Sequence, residues 1–388
     1  MSNSLNLTPE LRAWAEEMFG KIDAKMSKMT IRSRNKIPDG VDENGVHKDR
    51  FEEGKKWFNK NWWCNGFWGG LNYMLWAYTK NEEYLKTGKR SEELMDEALM
   101  NYDKLDHDLG FLWHLLSGAS YKLTGDKASR CRNFFAANVL ASRYVLNGGF
   151  IRAWNREPDW SIIDCLMNLP LLYWAADEIG DVRYKRIAMA HADMSIMDHL
   201  REDGSIAHIC EHNRETGELV KTYGGQGYCE GSSWSRGQAW GLYGFTISYI
   251  HTGEKRYLDA AKRVANYFIA NCSDDWLPRI DFRAPAEPVL YDSTAGAIAA
   301  CGLIELAKIL PETEGRYYLD AAVNMLRAMG EKFMNWDDNS DCMLDYGSVR
   351  YPCDGDLKKA GVHISIIYGD YFYTEAILKL LGAEFFPW

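Results

Sequence analysis

A short phrase recurs along the chain: TKNEEY at residues 79–84, TGDKAS at 124–129, IGDVRY at 179–184, TGEKRY at 252–257 and, more loosely, TEGRYY at 313–318. In each, a helix-ending residue is followed by an acidic or Asn position suited to capping the next helix, usually with an aromatic that packs back. Every copy therefore marks a tight helical hairpin. Before each phrase lies an apolar helix rich in small residues, such as GFWGGLNYMLWAY or DSTAGAIAACGLIELAKIL, and after it an amphipathic one, such as RYLDAAKRVANYFIANC. Buried and half-exposed helices alternate. With the first helix and the last, YGDYFYTEAILKLLG, the pattern predicts about twelve helices, six inner and six outer. That is an all-α fold, an (α/α)6 barrel of six helical hairpins, with residues 1–388 forming a single catalytic domain.

No Pro/Gly/Ser linker or composition shift argues for a boundary within the 388 residues, and strand-like alternation is confined to short pieces such as GSIAHICEHN. The formal net charge of −10, without any Lys/Arg run, speaks against a nucleic acid or an anionic membrane surface as partner. Nine cysteines, an odd number with no C-x-x-C pair, read as reduced thiols in a cytoplasmic protein without structural zinc. Thr8-Pro9-Glu10 opens an amphipathic helix, which is not the pattern of a signal peptide. No apolar run is long enough to span a bilayer. The chain is expected to be a monomer or a weak homo-oligomer.

The inner helices enter from one end of the barrel, so the residues at their starts should gather at one mouth. These are Trp63, Asn65 and Trp68; His107 and Asp108; Trp160 and Asp164; Trp234, Arg236, Gln238 and Trp240; Asp292 and Ser293; and Ser365 and Asp370. Asp108 is open to two readings, as an N-cap before an apolar helix or as a functional acid beside Asp106 and His107. Asp164 sits between Ile163 and Cys165, where an unpaired carboxylate is costly, and Ser161 is the better cap there. Burial should raise the Asp164 carboxyl, while helix amides and His107 should keep Asp108 ionised. Two carboxylates in divergent environments suit acid/base work.

The stretch YGGQGYCEGSSWSRGQAW, residues 223–240, offers glycines for close backbone approach, tryptophan faces for a sugar ring, and Arg236 to fork onto a carboxylate. A Gly-rich turn feeding a core helix is the plainer alternative, and WWCNGFWGG has the same two readings. His208 and His212 fall in an extended piece and do not suggest a metal pair. No phosphate loop, dinucleotide fingerprint, nucleophile elbow or HExxH motif is present.

The motifs HDLGF, IIDCLMNLPLLYWA, HADMSIMDHLREDGSIAH, GGQGYCEGSSWSRGQAWGLYGF and VHISIIYGDYFYTEAIL together resemble glycoside hydrolase family 88, the unsaturated glucuronyl hydrolases, from about Trp62 to the carboxyl terminus. A sister family acting on unsaturated rhamnogalacturonan fragments typically has Asn where Gln238 stands. The resemblance implies an (α/α)6 barrel without metal or cofactor, acting on lyase-made oligosaccharides that end in a 4,5-unsaturated uronate. It implies Asp164 as proton donor and base, Asp108 as its partner, and Trp63, Asn65, His208, Gln226, Trp234, Arg236 and Trp240 as substrate contacts. The rivals are an unsaturated rhamnogalacturonyl hydrolase, an ordinary inverting glycosidase, a sugar 2-epimerase, which would use His pairs, and a non-catalytic sugar-binding barrel. The loop at 346–365 carries Ser348, Arg350, Lys358 and Lys359. Either it is solvated or its cations meet sulfate or a second uronate beyond the scissile bond.

Overall fold

Six inner helices close on one another in a ring, each backed by an outer partner. The computed structural model describes residues 5–272 and 274–388. The inner helices are α2 (Phe67–Thr79), a π-helical segment (Gly110–Gly118) running into α4 (Ala119–Thr124), α6 (Pro170–Ile179), α8 (Ser235–Thr252), α10 (Ser293–Ile309) and α13 (Ile367–Leu380). Behind them stand α3 (Glu82–Leu99), α5 (Lys127–Ser142), α7 (Val182–Met194), α9 (Lys255–Ala270) and α11 (Glu312–Lys332). The sixth outer position belongs to α1 (Pro9–Arg32), which packs on α13, while α13 packs on both α2 and α10 and so closes the barrel. The (α/α)6 architecture expected from the repeats is the one observed.

The recurring phrases act as expected in three joints. Asn81, Asp126 and Asp181 each accept a backbone N–H of the following helix's first turn, a cap of the kind that contributes about 1 kcal/mol. Before them, Lys80, Gly125 and Gly180 take the left-handed conformation that ends a helix. The fourth joint, Gly253-Glu254, has the turn but no side-chain cap. The fifth is a correction. TEGRYY lies inside α11, and the break between α10 and α11 is made at Leu310-Pro311, where proline starts a helix without needing its N–H.

Short strands line the rim. β1 (Pro38–Val41) pairs with β2 (His47–Asp49), β3 (Tyr144–Val145) with β4 (Phe150–Ile151), and β5 (Trp160–Ile162), β6 (Ile209–His212) and β7 (Leu219–Tyr223) form an antiparallel sheet. A small α12 (Leu357–Ala360) interrupts the loop before α13. Inside the barrel, Trp388 stacks on Phe372 with ring centroids 6.0 Å apart and donates to Glu375 Oε2 at 2.8 Å. Among the described residues no helix is long and apolar enough to cross a membrane.

Candidate active site

The starts of the inner helices enclose a cavity of about 670 Å³. Its floor is aromatic: Trp63 packs on Phe67, Phe111, Trp240 and Tyr368, with Phe372 beneath. Phe67, Phe111 and Phe372 are fully buried, each worth about 1.5–3 kcal/mol of apolar burial. The floor is therefore rigid and water-poor. Asp108 and Asp164 reach the cavity from adjacent inner elements, the start of the π-helical segment and the 3-10 turn Ile163–Asn168.

Asp108 is not a cap. Its carboxylate bonds no helix amide; Oδ1 lies 3.3 Å from Asn168 Nδ2 and 3.4 Å from His107 Nε2. The first-turn amide of Phe111 is taken by Asn168 Oδ1, and Asp106 Oδ1 accepts the Asp108 N–H. Ser161, expected to cap near Asp164, instead sits in β5 with Oγ 2.9 Å from His199 Nε2.

Asp164 Oδ1 accepts from His208 Nε2 at 3.2 Å. The other side of the ring sets its orientation: Nδ1 lies 3.1 Å from the Gln226 N and 3.4 Å from the Gly224 carbonyl, which turns Nε2 towards Asp164. Gly225 permits this approach: its φ is +58°, and a Cβ there would stand 2.1 Å from His208 Nδ1. Trp234 packs on the same imidazole, ring centroids 4.3 Å apart.

The expected tuning of the two aspartates is reversed. Burial pushes the Asp108 carboxyl up to about 7, with the charges of Asp106 and Asp164 adding to it and His107 and Asn168 opposing. Burial acts on Asp164 too, but the bond from His208 and the charges of His208, His107 and Arg236 outweigh it and hold this carboxyl below its ordinary value. Cations supplied by other elements decide the order, and none of them is adjacent in sequence to Asp164.

Arg236 lines the cavity, but its fork is already committed. Nη1 pairs with Asp292 Oδ2 at 2.8 Å and donates to the Ser348 carbonyl, Nη2 donates to the Val349 carbonyl at 2.7 Å, and Nε alone is buried without a partner. The bidentate grip on a substrate carboxylate expected from sequence is thus replaced by one N–H and a positive charge, stacked between Trp234 and Tyr368. Gln226 also lines the cavity and donates from Nε2 to the Val349 carbonyl at 2.7 Å.

Trp63, Gln226, Trp234 and Arg236 meet the two aspartates around one space, with His208 directly behind Asp164. Two further expected contacts do not line it. Asn65 turns Nδ2 to the carbonyls of Asn59 and Lys60, fixing the approach to α2, and Trp240 lies under the floor. Gln238 is a clamp on the Ile206 backbone. His212 bonds Asp198 at 3.1 Å, away from His208. In the 346–365 loop, Arg350 lines the cavity, whereas Lys358 and Lys359 are exposed on α12 and Lys359 pairs with Asp354. Asn168, Phe111 and Tyr368 were not singled out from sequence; the four-residue step from Asp164 to Asn168 is the signal that could have found the first.

Asp106, His107 and Asp108 bring three potential ligand atoms within 4.8 Å of one another. All three are already engaged: Asp106 by the Asp108 amide, His107 by the Ala153 carbonyl, to which Nδ1 donates at 2.9 Å, and Asp108 by Asn168 Nδ2.

Residues 29–250 match the model of Glycosyl Hydrolase Family 88. The unsaturated glucuronyl hydrolase of Bacillus sp. (strain GL1) is 36% identical over 335 residues, 82% of this chain and 86% of that protein. The unsaturated chondroitin disaccharide hydrolase of Streptococcus pneumoniae (strain ATCC BAA-255 / R6) is 34% identical over 327 residues, covering 82% and 81%. In structure, the crystal form of the Bacillus sp. GL1 enzyme, described as responsible for the degradation of glycosaminoglycan, superimposes with a TM-score of 0.86 at 32% identity, covering 95% of this chain and 97% of that one.

Proposed function

The chain belongs to glycosyl hydrolase family 88, and from that premise we propose how its cavity works. The protein is a glycosidase that removes the 4,5-unsaturated glucuronyl residue from the non-reducing end of lyase-generated oligosaccharides, glycosaminoglycan fragments among them. The unsaturated uronate is a vinyl ether. Protonation at C4 leaves an oxocarbenium-like centre at C5, which water attacks; the resulting hemiketal opens and expels the neighbouring sugar. No enzyme nucleophile is needed, unlike hydrolysis by two carboxylates acting at C1.

In this reading Asp164 delivers the proton to C4 and takes one from the attacking water, Asp108 supports it, and the tryptophans carry the ring. The observation that carries the reading is a carboxylate only 13% exposed, facing an aromatic cavity with the His208 ring hydrogen-bonded behind it. Without substrate, the Asp164 carboxyl is held below its ordinary value by His208, His107 and Arg236, while burial raises that of Asp108. An entering uronate adds a negative charge and expels water, and both raise a neighbouring carboxyl. In this reading Asp164 takes up its proton as substrate enters.

The raised carboxyl of Asp108 favours a second reading in which Asp108 is the donor. Asp164→Asn and Asp108→Asn separate them, with loss of the conjugated double bond's absorbance as the assay. The first reading expects no turnover from Asp164→Asn and a loss of about two orders of magnitude or more from Asp108→Asn; the reverse order would make Asp108 the donor. The nine cysteines, all free thiols, support a cytoplasmic setting, and the closed helical ring supports one catalytic domain.

A further inference from the structure

Asn168 closes the 3-10 turn that carries Asp164 and is fully buried between the two aspartates. Its Nδ2 lies 3.3 Å from Asp108 Oδ1 and 3.4 Å from the Asp164 carbonyl, while its Oδ1 accepts the Phe111 N–H at 2.8 Å. Among the described residues, no other side chain is hydrogen-bonded to both aspartates. The approach is close enough to demand glycine opposite: a Cβ on Gly110 would stand 2.6 Å from Asn168 Cα and 2.8 Å from its Oδ1. The π-helical winding that begins at Gly110 brings the Phe111 amide to this side chain, in keeping with the concentration of such windings at functional sites.

We propose that Asn168 is a positioning residue for the reaction, a two-sided clamp that fixes Asp108 relative to Asp164 and keeps Asp108 Oδ1 as a hydrogen-bond acceptor. An amide N–H donated to Oδ1 leaves Oδ2 as the oxygen on which Asp108 holds a proton. It also favours the ionised form, against burial and against the carboxylates that face Asp108: Asp106 beside it and Asp164 from the neighbouring turn. His107 is the cation-forming group on Asp108's own segment, and His208 and Arg236 act from behind Asp164. Removing the clamp therefore has two consequences. Asp108 is freed to rotate, and its ionisation moves to higher pH.

The inference rests on the two aspartates being the reacting pair, and the test keeps the two ideas apart. Asn168→Asp retains an oxygen for the Phe111 N–H, whereas Asn168→Ala retains neither bond. Both variants should lower kcat on an unsaturated disaccharide by about tenfold or more while changing KM by less than about threefold. In both, the Asp108 ionisation read from the pH dependence of kcat should move upward, further in Asn168→Asp because an ionised carboxylate at that position adds a like charge. Melting temperature is followed alongside. A folded variant with parental kcat would overturn the inference, as would a lowered kcat with an unmoved pH profile, which marks a merely structural part. Turnover by Asp164→Asn in the same assay would sink the aspartate reading itself; an inactive Asp164→Asn beside a parental Asn168→Asp would remove Asn168 alone.

Discussion

Arg350 is the cation of the 346–365 loop that reaches the cavity, and among the described residues it has no ion-pair partner. Val349, next to it, is pinned through its carbonyl by Arg236 and Gln226, so the backbone that carries the exposed Arg350 side chain is fixed at the mouth. If the leaving sugar carries sulfate or a second uronate, Arg350 meets it. Arg350→Ala should reduce kcat/KM on a sulfated disaccharide by about tenfold, a charge-assisted contact of about 1.5 kcal/mol, and spare the unsulfated one. The double change of Lys358 and Lys359 to Ala, in contrast, should leave both substrates untouched, because these side chains face solvent. Equal losses on both substrates from Arg350→Ala would return Arg350 to a general structural part.

The start of α10 shows how one residue joins several elements. Asp292 accepts the Thr294 N–H as its cap, accepts the Ser348 N–H at 3.1 Å, and pairs with Arg236 from α8 where neither is exposed to water. Breaking one half of a buried pair leaves an uncompensated charge, so Asp292→Ala should cost about 3–5 kcal/mol in denaturant unfolding; a cost under about 1 kcal/mol would mean that the guanidinium finds water. This web also marks where sequence reasoning stopped. The joints at Asn81, Asp126 and Asp181 were legible because a cap acts within three residues of itself. The commitment of Arg236 was not, since its partners lie 56 and 112 positions away. The same holds for the order of the aspartates: burial of Asp164 could be read from Ile163 and Cys165, but the His208 that outweighs it comes from 44 residues further along.

Closing twelve helices into a ring buries titratable groups as well as apolar ones. His199, fully buried, donates from Nδ1 to the Ala207 carbonyl at 2.7 Å, and burial brings its pKa from 6.5 down to about 4. The unfolded chain therefore binds this proton first as the medium is acidified. The contribution is whole above pH 6.5 and lost as pH falls through about 4, at up to about 1.4 kcal/mol per pH unit. His199→Asn, which cannot take up that proton, should show a shallower decline in unfolding free energy between these limits than the parent. Parallel declines would mean that His199 is protonated in the folded state.

At the same scale, the cavity is proposed as a place where a double bond is hydrated by protein groups alone. Activity should survive exhaustive chelation, since Asp106, His107 and Asp108 are engaged with one another and with backbone. The most direct measurement of the central claim is the reaction of an unsaturated disaccharide in heavy water, read by NMR of the released keto sugar. Deuterium at C4 is the predicted result, because solvent must supply the proton that Asp164 is proposed to deliver there. Release of the neighbouring sugar with the double bond intact and no deuterium at C4 would contradict it.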